Sequence, residues 1–172
     1  MTTQQLILIF CTYLAGLVIV TYLTRATVWR IAGAVVGGAA VGFMGLGVIA
    51  LGNALGWWLV PISWMPHFLV LLYLGLAISC APIYLVTWRV ARRFGWRGLA
   101  ISLGLAAVIG PPRDYLIAAA YPEWITFAWG IVPVLADAVF YVGAVALGHA
   151  VMRLISGPSC KDRLARRPWE AA

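Results

Sequence analysis

Charge is scarce in this chain: only 10% of its 172 residues are Asp, Glu, Lys or Arg, and five are acidic. A soluble globular domain carries about 25% charged residues, so a water-covered fold is excluded. Lysine is nearly missing, with eleven arginines against the single Lys161. Cysteine is limited to Cys11, Cys80 and Cys160, with no CxxC and no Cys/His cluster, so neither a disulfide framework nor a metal site is expected. No basic residue precedes the first apolar run, which argues against a cleaved signal peptide and for a first span with an exported N-terminus. Also missing are GxSxG, HExxH, paired DxxxD and Walker A motifs. Each absence removes an enzyme class: intramembrane proteolysis, prenyl transfer, nucleotide hydrolysis. No motif names a cofactor, and the leaning is away from an enzyme.

What is present is apolar length. Hydrophobic residues make up 64% of the chain, and crossing a bilayer core takes about 20 of them in a row. The pattern predicts an all-α, polytopic transmembrane bundle of five spans, at about 6–23, 31–51, 66–86, 98–121 and 125–147. Residues 1–152 form one transmembrane domain, and 153–172 a basic cytoplasmic tail. The fourth span is anomalous. Only fifteen residues separate Arg97 from Arg113, ending in Gly110, Pro111 and Pro112, so it is expected to be short or broken there, resuming through Tyr121. The glycine-rich second span places Gly38, Gly42, Gly45, Gly52 and Gly56 within a narrow arc at 100° per residue. Such a groove is the small-residue solution to helix packing in lipid.

Basic residues number two after span one, four after span three and five after span five, against none after span two and one after span four. The positive-inside rule then places the N-terminus outside and the C-terminus in the cytoplasm of a cytoplasmic (inner) membrane. Tryptophans 57, 58, 64, 124 and 129 mark the outer interface, and 29, 88 and 96 the inner one. The arginines fall in short clusters between apolar runs, a topology signal and not a nucleic-acid footprint.

Chemistry would sit at Asp137, expected near the midplane of span five. A carboxylate there costs a few kcal/mol, which makes an intramembrane acid a functional candidate. Gly130, Pro133, Asp137, Tyr141, Ala144 and Gly148 follow helical spacing as one inward face, with Pro133 leaving the Trp129 carbonyl unpaired. Arg113 is the expected ion-pair partner of Asp137, with Asp114 beside it. Glu123, Tyr115, Tyr121, His67 and Asn53 could line an outer vestibule, though solvated loop roles are the plainer reading of such residues. His67 and His149 lie at opposite faces and cannot share one haem.

Two functions remain open. The favoured one is a non-catalytic subunit or scaffold of a larger membrane complex, packing through the glycine-rich second span. The alternative is a small oligomeric transporter or channel using Asp137 for proton, ion or solute passage. The partners expected are the lipid bilayer and other membrane subunits or further copies of the chain.

Overall fold

The computed structural model describes residues 3–62, 65–158 and Leu164. Trp64, Cys160, Lys161 and the rest of the predicted basic tail at 159–163 and 165–172 lie outside the described residues. Five helices follow one another: α1 (Thr3–Thr24), α2 (Val28–Leu55), α3 (Pro66–Phe94), α4 (Trp96–Ala120) and α5 (Ile131–Ser156). Two short strands, β1 (Trp58–Leu59) and β2 (Thr126–Phe127), pair antiparallel with Trp58 opposite Phe127. The fold is an all-α bundle, and α1, α2, α3 and α5 are each long and apolar enough to cross a membrane.

The centre is α3, which packs on all four other helices; α2 packs most extensively on α3 and α5, α1 leans chiefly on α3, and α4 on α5 and α3. Glycine makes this possible. A Cβ at Gly38 would run into the Ala77 carbonyl of α3, one at Gly42 into the Tyr73 ring, and one at Gly45 would touch Leu76. The opposite side of α2 is equally bare, since Gly33 faces Met152 and Ser156 and Gly37 faces the Gly148 backbone of α5. Gly52 lies under the Trp58 indole. Gly56 departs from the expected groove: at φ 68° it is the left-handed cap that ends α2, and it packs against nothing.

Several element ends differ from the sequence reading, for identifiable reasons. α3 runs through the arginine cluster to Phe94, and Gly95 at φ 62° turns the chain directly into α4. Those arginines therefore stand on helix ends, not on a loop. α4 passes through Pro111 and Pro112 as one helix and is not broken there; the prolines deprive the Ala107 and Val108 carbonyls of their usual donors. α5 starts at Ile131, because residues 126–127 are drawn into the strand pair. Pro133 consequently falls in the first turn, where no donor is missed, and Gly130 precedes the helix at φ 119°.

The far end of α5 continues past His149 and Arg153 to Ser156. Arg30, fully buried, donates to the Ser156 and Gly157 carbonyls at 3.2 and 3.1 Å, satisfying acceptors that the helix end leaves open. Its guanidinium lies 5.3 Å from the ring centre of Trp88, which is itself fully buried and so is a core residue, not an interfacial one. These contacts tie Arg30, near the start of α2, to the bundle end that also carries Arg89, Arg92, Arg93 and Arg97 around the α3–α4 junction and Arg153 in the last turn of α5. The strand pair covers the other, called here the lid end.

Candidate functional site

The site forms where α4 and α5 meet below the lid. Arg113 stands seven residues before the end of α4 and Asp137 six residues after the start of α5, so both lie roughly 10 Å below the lid end. Gly110 has no side chain, which lets the Tyr141 ring lie across α4 at that position. The ring's hydroxyl then reaches the next turn. It donates to Asp114 Oδ2 at 2.8 Å and accepts from Arg113 Nη2 at 2.6 Å. Arg113 also donates to Asp114 Oδ1 from Nε and Nη2, at 2.9 and 2.7 Å. Arg113, Asp114 and Tyr141 are thus a closed, charge-neutral unit.

Asp137 is left out of that unit. The expected Arg113–Asp137 ion pair is replaced by the Arg113–Asp114 pair, since neighbours on α4 can meet without bridging two helices. Asp137 is 5% exposed, and its Oδ2 is buried with no hydrogen-bond partner. It shares a cavity of about 210 Å³ with Arg113, Asp114 and Tyr141, walled further by Ser79, Cys80 and Tyr84 of α3 and roofed by Trp58 and Phe127 of the lid. A second recess opens sideways between α1 and α4, with Thr12, Tyr13 and Gly75 on its walls. Of the residues that line both spaces, Ser79, Arg113 and Asp114 are the polar ones. Two carboxylates and one guanidinium leave the cavity one negative charge in excess when both acids are ionised.

The remaining sequence candidates scatter. Asn53 holds the lid's base, donating to the Val60 carbonyl at 3.1 Å and accepting from its amide at 2.9 Å. Tyr115 stacks on Phe127 with ring centres 4.2 Å apart, and Tyr121 stacks on Trp124 at 4.4 Å. Glu123 and His67 are exposed at the lid end. None of these five lines the Asp137 cavity. His149 is buried among the helices, not interfacial. The residue that reading the sequence underrated is Tyr141, placed on the inward face but given no role. Its signal was Gly110: a glycine beside two prolines on a neighbouring helix marks a place where something large comes close. Among the described residues, no three His, Cys, Asp or Glu side chains converge as metal ligands.

The bundle and its acid-bearing cavity define a small all-α integral membrane protein with a mainly apolar, charge-bearing chamber near the lid end. The chain matches no protein-family model, no curated protein and no solved structure.

Proposed function

We propose that the protein is a small membrane carrier in which Asp137 takes up the transported charge inside the lid-end cavity. The observation that carries this reading is the buried, unpartnered Asp137 oxygen beside an Arg113 already engaged by Asp114. A carboxylate at membrane depth is costly unless it is paired. With its nearest cation taken, Asp137 is relieved by a proton or by a cation from outside. The alternative of a scaffold subunit loses its main support, because the glycine faces of α2 are filled by α3 and α5 of the same chain. All five helices, α4 included, cross the bilayer. The arginine end faces the cytoplasm, the lid faces outward, and the membrane is a cytoplasmic (inner) one.

The test uses the full chain reconstituted in vesicles holding a pH-sensitive dye, with an inside-negative voltage imposed. Wild-type protein is expected to acidify the lumen, and Asp137→Asn to do so at least about tenfold more slowly while keeping wild-type helicity and particle size. Equal rates in the two proteins, or wild-type rates no faster than empty vesicles, overturn the reading. Sizing the same preparation in mild detergent reads the competing one, since co-purifying chains would restore the subunit role.

A further inference from the structure

The walls around Asp137 say more about the cargo than the acid alone. The cavity meets the carboxylate with Trp58 and Phe127 from the lid and Phe140 and Tyr141 from α5, all lining the same space. Phe127 is held in place by its stack on Tyr115 and by an edge contact with Trp58, ring centres 6.1 Å apart. Among the described residues, no basic side chain other than Arg113 lines the cavity, and that guanidinium is committed to Asp114 and Tyr141. Aromatic faces attract cations through the ring quadrupole, and they favour those whose charge is spread over alkyl groups.

Resting on the carrier reading above, we infer that the cavity is a binding site for a small organic ammonium ion, with Asp137 as its counter-charge and Phe127, Phe140 and Trp58 as its aromatic wall. Three properties of the cavity agree with this. It has room far beyond the roughly 10–15 Å³ that one water needs, at about 210 Å³. With Asp114 neutralised by Arg113, the charge left over is that of ionised Asp137, which repels an anion. Hydrogen-bonding groups that could strip and replace the water shell of a small inorganic ion are few: among the described residues, the wall offers Ser79, Cys80, Tyr84, Tyr141 and the donor-only indole of Trp58 as uncharged polar side chains. An alkylated ammonium is weakly hydrated and needs no such cage.

Binding of such an ion is coupled to protons by competition. Among the described residues, the titratable and charged groups facing Asp137 are Arg113, Asp114 and Tyr115 from α4, Cys80 and Tyr84 from α3 and Tyr141 from its own helix; α2 and the lid contribute none. Protonation of Asp137 removes the counter-charge, so ammonium affinity falls as the solution is acidified.

The experiment titrates benzyltrimethylammonium, its uncharged isostere neopentylbenzene and the anion benzenesulfonate against the purified full chain in detergent, following intrinsic tryptophan fluorescence. Saturable binding of the ammonium alone is expected, at least about tenfold weaker in Asp137→Asn and about fivefold weaker in Phe127→Leu, which keeps an apolar side chain but removes the ring. Phe127→Leu keeps the test decisive should the Asp137 variant fail to assemble. Equal binding of the uncharged isostere, or tighter binding of the sulfonate, overturns the ammonium assignment and leaves a solute site standing. Absence of binding by any probe, alongside Asp137-dependent proton flux in vesicles, overturns the ammonium assignment alone. If that flux is missing as well, both readings fall.

Discussion

At the scale of single residues, the structure rests on a few polar groups whose partners are specific. Arg30 is the clearest. Replacing it with Met keeps most of the stem's packing but strips the donors from the Ser156 and Gly157 carbonyls. A loss of about 3 kcal/mol is expected, read as a lower thermal midpoint by size-exclusion of heated, detergent-solubilised protein. Tyr141→Phe removes one hydroxyl that serves both Arg113 and Asp114. It should cost about 1.5–3 kcal/mol, because the lost hydrogen bonds involve charged groups; a midpoint equal to wild type would show that the hydroxyl is dispensable. Asp137, Arg113 and Asp114 were legible in the sequence because a charge inside an apolar run is conspicuous wherever the helix turns. Which tyrosine meets them was not. That depends on the rotation of α5 against α4, and periodicity reveals the inward face of a helix without its neighbour.

At the scale of elements, glycine and proline decide how closely helices approach. Gly38→Ala forces α2 away from the Ala77 backbone and is expected to cost about 1–3 kcal/mol, as overpacking does. Gly47 has open space where its Cβ would be, so Gly47→Ala is the matched control and should change stability by less than about 0.5 kcal/mol. Thermal midpoints of the two variants, measured side by side, check the pair. The second span's role in packing could be read from the sequence, but only one of its two faces was, since Gly33 and Gly37 fall outside the arc chosen. Element ends were the hardest to place. Hydropathy marks where a helix enters lipid, whereas α3 and α5 end where Gly95 and Gly157 cap them, beyond the apolar limit.

At the scale of the whole molecule, one end is basic and the other carries the acids Asp114, Glu123 and Asp137. Orientation is therefore testable with single cysteines in a background lacking Cys11, Cys80 and Cys160. A membrane-impermeant maleimide added to intact cells should label Glu123→Cys and spare Phe94→Cys, and the reverse pattern would invert the assignment. The five-helix architecture was legible because each run of apolar residues is long and the punctuation between runs is strongly charged. The lid was not, as a two-residue strand pair leaves no periodic trace. The packing order has a consequence for biogenesis. α1 leans chiefly on α3, so during synthesis it enters the bilayer before its main partner exists, with the whole of α2 made in between. It must persist alone in lipid for that interval. A segment with no charged residue from Thr3 to Thr24 can do so, whereas α4, with Arg113 and Asp114, is made only after the three helices before it.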